Sequence, residues 1–240
     1  MQFSNKLIVI TGVGRAGQAG EILAKTFAER GATVALMDLQ QAEVEARAAT
    51  LKALGYNVTA HAANLSDAEI ARTAAAGVIK THEAQFGGAV HAVICAAGGF
   101  GMTGPVDESD PAAWHKQFLI NLDTAYCTTR AFLPALRQGS GSLVYFVSAA
   151  ALPGGKTSGM AAYIAAKSGV IALLRTVAQD EVDHGVRANA VAPTAIRTAT
   201  NVADMNDKTK YVERESVADV VAFLASEGAR NITGQVITLA

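Results

Sequence analysis

Short β-branched, apolar runs alternate with longer stretches of helical spacing along the whole chain, and that alternation restricts the fold more than any single motif. Leu7–Ile10, Thr33–Asp38, Val58–Ala62, Ala92–Ala96, Ser142–Val147, Arg187–Val191 and Gln235–Leu239 are too short for helices and read as strands. Between them Glu21–Arg30, Gln41–Leu54, Ser66–Phe86, Pro111–Leu136 (one long helix, or a long one preceded by a short one), Ala161–Asp183 and Ser216–Ser226 carry helical patterns, the last with Ser216 as the expected N-cap. A helix between successive strands makes each connection a crossover. The fold class is therefore α/β, a doubly wound parallel sheet of about seven strands with helices on both faces. No linker or repeat interrupts the pattern, so residues 1–240 are expected to form one domain. Thr194–Arg214, the least regular stretch, is expected to be a polar loop over a site.

Composition excludes several classes of partner. Half the residues are hydrophobic, only 17% are charged, and the formal net charge is −1. Such a balance supplies no electrostatic footprint for nucleic acid, and no run of like charge suits an anionic membrane surface. No segment reaches the roughly 18 consecutive apolar residues of a spanning helix. Met1–Lys6 leads into the first strand without a charged leader and cleavage site. A cytoplasmic protein is expected. Cys95 and Cys127 lie in apolar stretches and read as buried thiols. His61, His82, His91, His115 and His184 lack ligand spacing, so no metal is expected. Trp114, Phe118 and Leu122 have helical spacing and read as packing.

The first strand runs into Thr11-Gly12-Val13-Gly14-Arg15-Ala16-Gly17-Gln18-Ala19-Gly20 and then a helix. Glycines at 12, 14 and 17 between a strand and a helix permit positive φ and let backbone N–H groups approach a pyrophosphate. Gly12, Gly14, Arg15, Ala16 and Gly17 are the candidate contacts. About 20 residues further on, the second strand ends at Asp38, where a carboxylate can accept from ribose hydroxyls. A carboxylate there repels a 2′-phosphate, which favours NAD over NADP. Arg15 could pair with that phosphate, so NADP stays possible.

Tyr163 and Lys167 stand one helical turn apart and share a face. The preceding strand ends at Ser148, and Asp38, Asn64 and Ala96 also stand at carboxyl ends of strands, where open α/β sheets collect ligands. A phenol titrates near pH ~10 and is a poor base at neutrality; an adjacent ammonium is expected to bring it closer to the working range. Ser148 can orient a substrate oxygen and share its developing charge.

Taken together, these residues resemble the short-chain dehydrogenase/reductase family, a group with one Rossmann-like domain. Beside the glycine loop and Tyr163–Lys167, the likeness includes Cys95-Ala96-Ala97-Gly98, Asn121-Leu122, Ser148, Asn189-Ala190-Val191-Ala192-Pro193 and Ile232-Thr233-Gly234-Gln235. The resemblance implies hydride transfer between a nicotinamide cofactor and a carbonyl or secondary alcohol. Tyr163 would be the general acid/base, Lys167 its electrostatic partner and ribose ligand, and Ser148 the substrate-oxygen ligand. Asn121 would hold a water that links Lys167 to solvent. Leu39 would accompany Asp38, and Asn64 with Leu65 would approach the adenine. Ala96, Ala97 and Gly98 would line the cofactor, with Pro193, Ile196 and Thr198 near the nicotinamide amide and pyrophosphate. A homotetramer, or a homodimer, is implied, paired through the long helices that contain Asn121 and Tyr163.

The chain departs from the family pattern in several places. The usual loop would place glycines at 16 and 18, where Ala16 and Gln18 stand, and this loop is slightly longer. The Ser148–Tyr163 interval is also longer, through Pro153-Gly154-Gly155-Lys156. Asn64 replaces a common Asp and Thr194 a usual Gly. The stretch after Thr198 is shorter than the family's substrate lid, which predicts an open site, a bulky substrate or closure by a neighbouring subunit. The irregular glycine loop leaves one alternative of another class, a non-catalytic nucleotide-binding or assembly protein. Phe100-Gly101-Met102 is expected near the substrate.

Overall fold

The computed structural model describes residues 1–205 and 208–240. Seven parallel strands form one sheet: β1 (Leu7–Thr11), β2 (Thr33–Asp38), β3 (Val58–Ala62), β4 (Ala92–Cys95), β5 (Ser142–Phe146), β6 (Arg187–Pro193) and β7 (Val236–Leu239). Their order is β3-β2-β1-β4-β5-β6-β7. The chain winds outward from β1 in one direction, returns to β4, and then winds outward in the other. The doubly wound expectation is borne out.

Alternation within the strands assigns each side chain to a face. Leu7 and Val9 of β1, Ala35 and Met37 of β2, and Leu143 and Tyr145 of β5 enter one core. Helices α3 (Ala68–Phe86), α5 (Thr124–Gly139) and α6 (Ala161–Asp180) cover it. Ile8, Ile10, Val34, Leu36, Val144 and Phe146 point the other way, under α1 (Ala19–Glu29), α2 (Gln41–Ala53) and α8 (Arg214–Ala225). Burial on both faces explains why the strands are nearly continuous apolar runs. Both Cys95 and Cys127 are free and buried, and desolvation holds the Cys95 thiol up at about 12.

Most expected elements appear with ends displaced by a residue or two; four readings change. The helical stretch expected over Pro111–Leu136 is α4 (Pro111–Phe118) and α5, joined by a π-helical turn at Leu119–Asp123. The helix expected to end at Asp183 stops at Asp180, and a 3₁₀ turn then leads to Gly185 at φ +68°. Ser216 is not an N-cap: α8 begins at Arg214 after Glu213, whose extended backbone starts the helix two residues earlier. The expected loop Thr194–Arg214 contains a short helix, α7 (Ala199–Asp204), whose N-cap Thr198 accepts from the Asn201 amide at 3.2 Å. An isolated bridge between Ile196 and Val212 ties its two flanks. Residues 206–207 of that expected loop lie outside the described residues. Among the described helices, α6 alone is long and apolar enough to cross a membrane by length and composition, yet its core-facing side packs on the sheet. Trp114 and Phe118 pack on each other as expected, with ring centroids 5.1 Å apart.

His91 gives this fold a pH dependence. Its Nδ1 accepts the Leu7 N–H at 3.1 Å, so the ring must be neutral there. Burial first, and the Lys6 ammonium second, lower its pKa from 6.5 to about 4. Between those values the unfolded chain binds the proton and the folded chain does not. Stability is therefore complete above about pH 6.5 and is lost as pH falls toward 4. The melting temperature is expected to drop across that window, and His91→Gln should drop less steeply; parallel slopes would show that His91 contributes nothing.

Candidate active site

The candidate residues gather at the carboxyl edge of the sheet, around the gap where the loops after β1 and β4 diverge. Parallel pairing aligns Thr11 with both Met37 and Cys95, so these loops leave the sheet at one level. The Thr11 hydroxyl accepts the Ala97 N–H at 3.1 Å and ties the two loops together.

Several glycines are required by close approach. A Cβ on Gly12 (φ +78°) would lie 2.8 Å from the Ala97 nitrogen. On Gly14 it would lie 2.7 Å from the Asp38 carboxylate carbon, so the acid packs directly on the glycine loop. Gly20, outside the glycine triplet singled out in the sequence, meets the tightest limit. Its Cβ would come within 2.2 Å of the Gly12 carbonyl oxygen, where α1 starts against the end of β1. The longer loop is accommodated because α1 begins at Ala19 and Gly20 makes the close helix–strand approach. These glycine-lined surfaces beside a helix start fit a dinucleotide. Asp38 Oδ1 accepts from the Gln40 amide at 3.1 Å. Leu39, Asn64, Arg15 and Ala16 are exposed, whereas the Leu65 side chain enters the core.

Ser148, Tyr163 and Lys167 come together. The Ser148 hydroxyl lies close enough to the Tyr163 phenol to favour its charged form, and its Oγ accepts the Ala150 N–H at 3.3 Å. The added residues between Ser148 and Tyr163 bulge outward through Gly154 at φ +85° and leave the two side chains near each other. Lys167 is only 6% exposed; its Nζ donates to the Phe146 carbonyl at 2.8 Å and lies 5.8 Å from the Tyr163 ring centroid. The Phe100 ring meets Tyr163 edge-on at 5.2 Å.

Electrostatics at the phenol differ from the expectation. Burial raises the Tyr163 pKa above its ordinary value, and the Ser148 hydroxyl opposes that rise. Burial also lowers Lys167 to about 8. The ammonium lies beneath the ring and is committed to a carbonyl, so it does not overcome desolvation of the phenolate. Burial therefore keeps the proton on the phenol at neutral pH.

Asn121 is 1% exposed within the π-helical turn. Its amide donates to the Gly99 carbonyl at 3.0 Å, and its Oδ1 accepts the Gly99 N–H at 3.2 Å. Gly98 lies between Asn121 and Lys167: a Cβ there would be 2.6 Å from Asn121 Oδ1 and 3.4 Å from Lys167 Nζ. Ala96 and Ala97 precede it, partly exposed. Pro193 is buried at the end of β6, Ile196 is partly buried beside it, and Thr198 caps α7. This helix lies against the glycine loop: the Ala199 amide donates to the Gly17 carbonyl at 2.9 Å, and Gln18 Nε2 donates to Thr200 Oγ1 at 3.0 Å. The stretch after Thr198 therefore covers the loop within the same chain. Thr11, Gly20 and Glu21 are the site-building residues that sequence reasoning missed. The Gly20 signal was a glycine just inside a helix start, a position that helix propensity disfavours.

The sheet order and the clustered phenol, hydroxyl and ammonium define a doubly wound α/β protein with a group suited to proton transfer at its sheet edge. A family model described as enoyl-(acyl carrier protein) reductase matches residues 12–239. Cyclohexanol dehydrogenase of Acinetobacter sp. (strain SE19) is 29% identical over 241 residues, covering 97% of this chain and 92% of the relative. Meso-2,3-butanediol dehydrogenase of Serratia marcescens is 32% identical over 244 residues, covering 98% and 92%. The crystal structure of gox2181 superposes with a TM-score of 0.90 at 27% identity, covering 99% of this chain and 95% of that one. The chain belongs to the short-chain dehydrogenase/reductase family and is a hydride-transfer oxidoreductase; both relatives are named as dehydrogenases.

Gly20→Ala is expected to force α1 away from the end of β1. Denaturant unfolding should show a loss of about 1–3 kcal/mol, accompanied by weaker dinucleotide binding. Wild-type stability in this variant would mean that the loop relaxes freely around the added methyl.

Proposed function

We propose that this chain interconverts a small secondary alcohol and its ketone with NAD, Tyr163 exchanging the proton at the substrate oxygen. The observation that carries the reading is the clustering of the Ser148 hydroxyl, the Tyr163 phenol and buried Lys167, whose Nζ lies 5.8 Å from the phenol ring centroid. A nicotinamide dinucleotide, when bound, supplies or takes up the hydride.

During ketone reduction the protonated phenol is the acid, and burial keeps that proton in place until the substrate oxygen becomes basic. Once the phenol has given up that proton, the Lys167 charge offsets the negative charge left on it; during alcohol oxidation the same phenolate takes the hydroxyl proton while Ser148 holds the oxygen. Asn121 would hold the water that exchanges protons between Lys167 and solvent. Gly12, Gly14, Arg15, Ala16 and Gly17 would face the pyrophosphate, and Asp38 with Leu39 the adenosine ribose. Asn64 and the Leu65 backbone would approach the adenine. Ala96, Ala97 and Gly98 would line the cofactor, with Pro193, Ile196 and Thr198 at the nicotinamide end.

The Asp38 carboxylate against Gly14 supports NAD over NADP, with exposed Arg15 as the counterweight. The relatives named for cyclohexanol and meso-2,3-butanediol support a small alcohol substrate. Exposed Leu119 and Tyr126 on the long helical run support pairing through that run and α6 in a homotetramer, or a homodimer. The single domain over residues 1–240 and a cytoplasmic location complete the proposal.

An alcohol and carbonyl panel followed at the NADH absorbance tests this reading. Tyr163→Phe should lower turnover about 10²–10⁴-fold while NADH binding stays near wild type; retained turnover would exclude Tyr163 as the acid/base. With both cofactors in the panel, NAD should give the higher kcat/KM, and Asp38→Ala should narrow the difference. Equal use of NADP by the wild type would refute the assignment to Asp38.

A further inference from the structure

The lengthened glycine loop hangs between two anchors. At its start the Gly12 and Val13 amides donate to the Met37 carbonyl at 2.8 and 3.2 Å. Its far end is held at Gly17, which adopts φ +72°. The Gly17 carbonyl accepts from Ala199, and the Gly17 N–H donates to Glu21 Oε2 at 2.7 Å. Between the anchors Gly14, Arg15 and Ala16 make no hydrogen bond among the described residues.

Glu21 stands in the first turn of α1, where a glutamate commonly reaches back to the N-cap amide. Here it reaches one residue further, to Gly17, while the N-cap residue Gln18 sends its side chain to Thr200. The second carboxylate oxygen, Oε1, accepts from Arg47 Nη1 of α2 at 2.6 Å, and Arg214 Nη1 of α8 lies 4.0 Å from Oε2. Two guanidinium groups therefore offset the charge of a carboxylate next to an expected phosphate position, and they hold its orientation from two neighbouring helices.

We propose that Glu21 is a positioning residue for the dinucleotide: its bond to the Gly17 amide holds the extended loop in the shape that receives the pyrophosphate. This rests on the cofactor reading above. The hydrogen bond and the ion pairs can be separated, because a glutamine retains an acceptor for the Gly17 N–H but loses the charge that holds Arg47 and Arg214.

The experiment compares wild type, Glu21→Gln and Glu21→Ala by NADH fluorescence titration, by hydrogen exchange of the glycine-loop amides without nucleotide, and by thermal unfolding. Glu21→Ala is expected to bind NADH about tenfold more weakly, the size of one charge-assisted hydrogen bond. Its loop amides should exchange several-fold faster. Glu21→Gln should recover most of both losses while melting as low as Glu21→Ala. A purely structural ion pair predicts the reverse, with both variants equally impaired in binding and exchange, and that result would overturn the proposal. Unchanged loop exchange in Glu21→Ala would also overturn it, independently of any cofactor. A wild type that binds neither NADH nor NADPH, with the exchange pattern as expected, would instead remove the cofactor reading and leave Glu21 as a loop anchor only.

Discussion

Every feature of the site depends on β1 lying between β2 and β4. A parallel sheet that reverses its winding there sends the loop after β1 toward one side and the loop after β4 toward the other, so a crevice opens between them. Its walls are kept close by backbone packing and by one side-chain hydroxyl. Gly12 packs on the Ala97 nitrogen, Gly20 on the Gly12 carbonyl, and Thr11 bonds the Ala97 amide. Side chains at those glycines would separate the walls. The apolar layers on both faces have a matching role, since they hold the strand ends in register without intruding on that edge.

The catalytic group illustrates how tertiary placement changes the properties of a residue. A tyrosine and a lysine one turn apart on an exposed helix would have nearly ordinary acidities. Here α6 presses both against β5, and burial moves the phenol up and the amine down to about 8. Each charged form is therefore costly until partners arrive. The Ser148 hydroxyl already favours the charged form of the phenol. The arrangement favours a resting site of protonated phenol above an ammonium, in which a proton moves only when the substrate oxygen is in place.

The elements written by periodicity were legible: seven strands, the helices between them and the crossover topology all follow from apolar spacing. Asp38, Ser148, Tyr163 and Lys167 were legible because each occupies a strand end or a helix turn that topology carries to one edge. Elements set by contact were not. The π-helical turn that points Asn121 at Gly99 has no periodic signature, since its register shift is compensated by a tertiary hydrogen bond. Helix α7 has too few residues to show a stripe, and it is held by Gly17, Gln18 and the Ile196–Val212 bridge. The start of α8 moved from Ser216 to Arg214 because backbone geometry at Glu213, rather than a capping side chain, begins the helix.

Local patterning was therefore enough to specify the sheet, its two buried faces and the edge where chemistry could gather, because burial of alternate side chains needs no knowledge of distant residues. The length of the glycine loop could be read as an irregularity but not interpreted. Its shape is decided by Gly20 against Gly12, by Glu21 on the Gly17 amide with Arg47 and Arg214 behind it, and by Ala199 on the Gly17 carbonyl. These contacts join α1, α2, α7 and α8, segments far apart along the chain. Only their packing against one another brings the partners within hydrogen-bonding range.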